Sequence, residues 1–275
     1  MDIKYINHLN EELDLSGLPY LLQFSNAFDF SWEYETFGQT KRNCKIKNFT
    51  RQKKTVEAEI IIKAKDFEAA LNRFAEITEK DIIAEKAGKL VFKNEMYLMC
   101  FLIESKNTHI HIKNKQNVKD IIIISPHPFW IKEMHRTFPA VAVAISEEHL
   151  DYPYDYSYDY AGSGDNATWF IDHYAESNFE MIIYGPCIDP RITINGHPYY
   201  VYDTVEKGEY IKINSEDNTV IKYRTNGTTK DLYDYRGKIE GSLFEKIPSG
   251  NLSLGRNGNF GFDLKLFLER SEPAW

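Results

Sequence analysis

Tyr152-Pro-Tyr-Asp-Tyr-Ser-Tyr-Asp-Tyr160 is the stretch whose side chains could most readily do chemistry, since alternating rings and carboxylates can line a sugar site or ligate calcium. The spacing argues against calcium. Asp151, Asp155 and Asp159 recur every fourth residue, no glycine occupies the sixth loop position, and no bidentate glutamate closes the loop. An extended segment with tyrosine on alternate positions can equally lay its rings along a neighbouring surface while the hydroxyls stay wet. We therefore read Tyr152, Tyr154, Tyr156, Tyr158 and Tyr160 as interface aromatics.

The remaining constellations are thinner. His109-Ile-His111 sets two imidazoles on one face of a strand, half of a metal site, but no third ligand follows at short range. His127, His135, His149, His173 and His197 show no His-Glu-x-x-His spacing. A Gly-x-Ser-x-Gly elbow and a glycine-rich phosphate loop are both missing from the sequence. Carboxylates are plentiful, yet no pair is singled out as a glycosidase acid and base. The reading is of a non-enzyme with no catalytic residues, no cofactor and no metal.

Cys44, Cys100 and Cys187 are odd in number and far apart, which gives neither a disulfide framework nor a zinc half-site. They read as reduced structural thiols. The first residues, Met1-Asp-Ile-Lys-Tyr-Ile-Asn7, lack a basic region followed by an apolar run, and nowhere is there an apolar stretch long enough to span a bilayer. A soluble cytoplasmic product is expected.

The elements that must position these residues divide at Ser125-Pro-His-Pro-Phe-Trp-Ile-Lys-Glu133. Proline fixes φ and removes a donor, so Pro126 and Pro128 stop the apolar run Ile121-Ile-Ile-Ile124. A chain of 275 residues is long enough for two cores. Charge divides at the same place: the net charge is +1 up to Glu133 (20 basic against 19 acidic) and −9 beyond it (13 against 22). The acidic half disfavours phosphate-backbone binding, so no sequence-specific nucleic-acid role is expected. Pro126, Pro128, Phe129 and Trp130 are the expected interdomain hinge, with domains at 1–133 and 134–275 and Trp130 packed at the seam.

Before the hinge one helix is predicted near 66–80. Asp66 can cap it, and Phe67, Ala70, Leu71, Phe74 and Ile77 share a face. Around it Val56–Ile62, Leu90–Phe92, Met96–Ile103 and Val118–Ile124 read as strands, the middle two as a hairpin. After the hinge, Phe179–Tyr184, Arg191–Asn195, Tyr199–Tyr202, Tyr210–Ile213 and Thr219–Tyr223 are short strands bounded by turn residues, the pattern of a β-sandwich. Phe260, Phe262, Leu264, Leu266 and Leu268 alternate with Gly261, Asp263, Lys265, Phe267 and Glu269 and should face the core. Asn257-Gly258 just before them signals a hairpin turn.

Six motifs in order, Asp29-Phe-Ser-Trp-Glu-Tyr-Glu35, Phe67-Glu-Ala-Ala-Leu-Asn-Arg73, Ala87-Gly-Lys-Leu90, Pro128-Phe-Trp-Ile-Lys-Glu133, Ile183-Tyr-Gly-Pro-Cys187 and Glu269-Arg-Ser-Glu-Pro-Ala-Trp275, carry a further signal. Together they resemble the distal tail protein family of long-tailed (siphovirus-type) bacteriophages, from near Tyr5 to Trp275. The resemblance implies a tail-tube-like split barrel with a helix, then a galectin-like β-sandwich. It implies a structural hub of the tail tip or baseplate: a homo-oligomeric, usually hexameric ring around the DNA channel. Its partners would be the tail tube protein, a tail-associated lysin or tip protein and receptor-binding proteins, with no membrane. The particle would be assembled in the bacterial host cytoplasm and the chain would reside in the virion. Some members carry an inserted carbohydrate-binding module, and the span from Pro139 to Trp275 has room for one sandwich only, so this chain looks like the short form. The competing expectation is a carbohydrate-binding sandwich that stacks host cell-wall sugars on the Tyr152–Tyr160 rings.

Overall fold

The computed structural model describes residues 2–38, 45–93, 95–140 and 167–273. It is mainly β, its paired strands are antiparallel and it has one α-helix among the described residues. The Tyr152–Tyr160 run lies outside the described residues, as does Cys44. The chain forms two compact units: Met1–Lys132 with Glu269–Trp275, and Glu133–Leu268.

In the first unit the strands are β1 (Ile3–Ile6), β2 (Glu12–Asp14), β3 (Ser16–Gly17), β4 (Tyr20–Ser25), β5 (Glu33–Phe37), β6 (Lys45–Thr50) and β7 (Lys54–Lys63). Helix α1 (Phe67–Ala84) follows, then β8 (Gly88–Phe92), β9 (Met96–His111), β10 (Gln116–Ser125) and the start of β11 (Trp130–Phe138). The long β9 holds the unit together by serving two ladders. Its first residues pair with β8, Met96 opposite Phe92 and Cys100 opposite Gly88. Its later ones pair with β10, which continues to β7 and β4. Two register shifts in the β9–β10 ladder bend the strands away from a flat sheet, as bulges do.

Helix α1 starts as the sequence dictates, with the Asp66 carboxylate accepting from Ala69 N at 3.2 Å. It ends at Glu85 in the left-handed region (φ 52°), beyond the expected 80. Ala70, Phe74 and Ile77 are buried, and the helix packs on β2, β7 and β9. The core beneath it is built from Ile60, Ile62, Leu90, Phe92, Leu98 and Trp130, among others.

In the second unit, which takes in the rest of β11, the strands are β12 (Ala167–Ile171), β13 (Asn178–Tyr184), β14 (Cys187–Ile188), β15 (Arg191–Ile194), β16 (His197–Tyr200) and β17 (Thr204–Val205). They continue with β18 (Tyr210–Asn214), β19 (Thr219–Tyr223), β20 (Thr229–Asp231), β21 (Gly250–Arg256) and β22 (Phe262–Arg270). One sheet runs β20-β19-β18-β13-β22, the other β12-β21-β15-β16. Their inner faces form one core containing Phe179, Ile183, Ile192, Leu252 and Leu264. Phe260, Phe262, Leu264, Leu266 and Leu268 all point inward and are at most 4 % exposed, as alternation requires.

The hairpin expected at Asn257-Gly258 is not there. β21 pairs with β12 and β15, whereas β22 pairs with β13, so the turn carries the chain from one sheet to the other. Asn257 explains why: its N–H and side-chain amide donate to Arg191 O and Asp189 O, and its Oδ1 accepts from Arg191 N. The turn is tied to the start of β15 and not to a hairpin partner.

Candidate functional site

The hinge residues occupy an identifiable place in the first unit. Trp130 is completely buried, its ring stacked on Phe28 (5.5 Å between centroids, 15° between planes) and edge-on to Phe92. Its indole N–H donates to Ala27 O at 3.3 Å. The structure thus puts Trp130 in the core of the first unit, with the polar handle a buried indole requires. Upstream, Pro126 is exposed and Pro128 half-buried, and the Ser125 hydroxyl stands 2.5 Å from Met99 O.

Phe129 faces the other way along the turn. Its ring lies 6.0 Å from that of Trp32 and 4.9 Å from the Arg51 guanidinium, which also sits over Phe30 and Trp32. Three rings around one cation make a cation–π cluster. Trp32 and Arg51 flank the two-stranded sheet of β5 and β6, so the proline turn abuts the root of that hairpin.

Lys54, the first residue of β7, completes the root. Its ammonium donates to Ala27 O, the carbonyl that also accepts from Trp130. Burial, reinforced by the neighbouring Arg51 charge, pushes Lys54 down to about 8, while Asp29 and Glu272 act in the opposite direction. A desolvated lysine and an indole sharing one carbonyl fix the segment Ala27–Phe28 at the hairpin's base.

The hairpin itself is bare. Every residue of β5 and β6 is exposed, and no third strand pairs with them among the described residues. The register sets Tyr34 opposite Phe49 and Thr36 opposite Ile46, alternating with Glu33–Thr50, Glu35–Asn48 and Phe37–Lys45. One face is therefore apolar and the other mostly polar. This element was missed in the sequence, although Phe30, Trp32 and Tyr34 on alternate positions were its signal.

A second polar cluster lies at the end of α1. Asp81 is fully buried and accepts from Tyr5 OH at 2.5 Å and from His8 N at 2.9 Å, with His8 Nδ1 2.5 Å from the same oxygen. Burial first, then the Asp81 bond, keeps Tyr5 protonated well above the usual phenol range. The carboxylate is spent on structure.

His109 and His111 do stack on the exposed part of β9, 6.5 Å apart, and no group of three or more His, Cys, Asp or Glu among the described residues could hold a metal. Burial pushes the Cys100 thiol up to about 12 and Cys187 up to about 11, far from the range of a reactive thiolate.

These two units have the architecture of a solved phage protein, SPP1 Dit (gp 19.1), reported as a paradigm of the hub adsorption apparatus in phages infecting Gram-positive bacteria. The likeness is one of fold. The match has a TM-score of 0.62 at 10 % identity and covers 97 % of this chain and 98 % of that one. A chain of the phage P2 baseplate, in its activated conformation with Ca, matches at TM-score 0.64 and 14 % identity over 99 % of this chain and all of that one. The same baseplate with Sr gives 0.65 at 14 %, covering 99 % of each chain. No family model matches the chain, and no curated protein matches it in sequence.

Proposed function

We propose that this protein is a structural hub of a phage tail tip, forming a ring that joins the tail tube to the tip protein and to receptor-binding proteins and surrounds the DNA channel. The observation that carries this is coverage: the likeness in fold to hub and baseplate chains runs over 97 to 99 % of this chain, and so over both units. The exposed, amphipathic hairpin on a rigid root supports it, because such a surface is built for a protein partner and not for a small molecule. Under this reading the first unit forms the ring, hexameric as the resemblance implies, and the second carries the outward contacts. The turn at Pro126 and Pro128 is the passage between them, with Phe129 and Trp130 anchoring it to the first unit. Assembly takes place in the host cytoplasm and the mature location is the virion.

Function here is geometric. A closed ring converts many modest contacts into a rigid adaptor. Native mass spectrometry and cryo-electron microscopy of the purified protein with its tail tube protein provide the test. The expected result is a closed ring seated on the tube end, and a chain that stays monomeric and never joins the tube overturns the proposal.

A further inference from the structure

In the second unit the end of β11, the first residue of β12, the end of β21 and the first residue of β22 line an open-sided cavity of about 220 Å³. Its apolar wall is Phe138, Phe262 and Leu254, and Arg136 and Arg256 flank it. The two phenylalanine rings stack 4.5 Å apart with 13° between their planes. A guanidinium is set against each: Arg136 lies 5.1 Å from the Phe138 centroid and Arg256 6.0 Å from that of Phe262. Two cations thus gather on one ring pair.

Nothing described balances them. Each arginine donates one N–H to a backbone carbonyl at 2.6 Å, Arg136 to Thr168 O and Arg256 to Phe260 O, out of the five that a guanidinium carries. No acidic side chain among the described residues lines the cavity or pairs with either arginine. This happens in the half of the chain beyond Glu133, where 22 acidic residues outnumber 13 basic ones. Like charges held together without a counter-ion repel, and an anion between them relieves the repulsion.

We propose that this cavity binds a carboxylate carried on a single aromatic ring, the ring lying against Phe138, Phe262 and Leu254 and the carboxylate accepting from Arg136 and Arg256. Size sets the body. An apolar cavity of about 150 Å³ takes a benzene ring, and the remaining volume here suits the carboxylate and a short link. Charge sets the head, because a planar carboxylate matches the guanidinium fork with two parallel bonds. Bare phosphate would leave the apolar wall wet, and a polyanion would carry charges beyond the reach of two arginines into an acidic surrounding. The ligand is then a free aryl acid or a peptide that ends on an aromatic residue, since both present the same chemistry. The site requires no assembly of copies and goes beyond the hub reading.

Ligand-observed NMR titration of the full chain with phenylacetate is the test, with circular dichroism to show that each variant is folded. A dissociation constant on the order of 1 mM is expected, with phenylacetamide and inorganic phosphate each at least about tenfold weaker. R256Q should weaken phenylacetate about tenfold or more through loss of a charge-assisted bond. A167F leaves both arginines in place and fills the cavity, so it should abolish binding through lost space alone. The tripeptide Gly-Gly-Phe decides the source: binding about tenfold tighter than phenylacetate marks a chain end and equal or weaker binding marks a free acid, and either upholds the site. Absence of phenylacetate binding, binding unmoved by R256Q and A167F, or phosphate bound as tightly as phenylacetate overturns it.

Discussion

At the scale of single residues, Lys54 makes the sharpest statement about pH. Its ammonium in the first unit is pushed down to about 8, against roughly 10.4 for a lysine in the unfolded chain. Between those values the unfolded state binds more protons than the folded one, so stability rises with pH. Cys100 acts with the opposite sign. Its folded thiol is pushed up to about 12 against roughly 8.5 when unfolded, so across that window the folded state keeps a proton the unfolded state has lost, and stability falls. The urea midpoint of the first unit should therefore climb from about pH 7.5 to 8.5 and turn over near pH 9 as the thiol takes effect. K54M should remove the climb and keep the later fall; a climb that survives in K54M would locate its source elsewhere. Asp81 supports a second prediction. D81A leaves Tyr5 OH and His8 N–H without their buried acceptor and should cost about 2 to 4 kcal/mol in urea unfolding, because an orphaned buried donor loses its full desolvation energy. D81N, which keeps an acceptor oxygen, should lose less.

At the scale of elements, backbone approach between β1, β8 and α1 depends on a missing side chain. A Cβ on Gly88 would stand 2.7 Å from Tyr5 OH and 2.9 Å from Ile6 O, and closer still to the Asp81 carboxylate. G88A should thus destabilise the first unit by about 1 to 3 kcal/mol through overpacking, seen as a lower melting temperature of that unit alone. In the second unit L264A should cost about 2 to 5 kcal/mol, since its side chain is fully buried in the sandwich core. Leu264 was legible from period-2 alternation, and so was α1 from its cap and its Phe67–Ile77 stripe, because a face buried inside the chain leaves its period in the sequence. Partners were harder to read. Asn257-Gly258 announces a turn but not which sheet its flanking strands join, and that choice was made by the bonds from Asn257 to Asp189 and Arg191. Phe30 and Trp32 announce an extended segment, yet their neighbours are Arg51 and Phe129, far along the chain and in no pattern that pairs with them, and Tyr34 stays exposed. Trp130 was marked by its prolines, but its place in the first core depends on Ala27 and Phe28, about a hundred residues earlier in the chain.

At the scale of the whole molecule, the second unit is an insertion into the first. Residues 1–132 and 269–275 form one compact unit and 133–268 the other, so the chain leaves the first unit at Lys132 and re-enters it at Glu269. Reading the chain as two successive halves hides this, since Arg270-Ser-Glu-Pro273 carries no periodicity that would assign it to either core. Units with separate cores can tolerate excision when the ends are bridged, because the entropy of closing a flexible loop grows only slowly with its length. Replacing residues 133–268 by a Gly/Ser linker of about ten residues should leave a chain that keeps the α1 circular dichroism signal and, under the proposal that the first unit forms the ring, self-associates as the full chain does. Truncation after Leu268 asks the converse question. It retains the whole second unit but removes Glu272, one of the two carboxylates that favour the Lys54 charge. The first unit of that truncated chain should therefore be less stable near neutral pH, while the unfolding of the second unit, followed through Trp169, stays where it was.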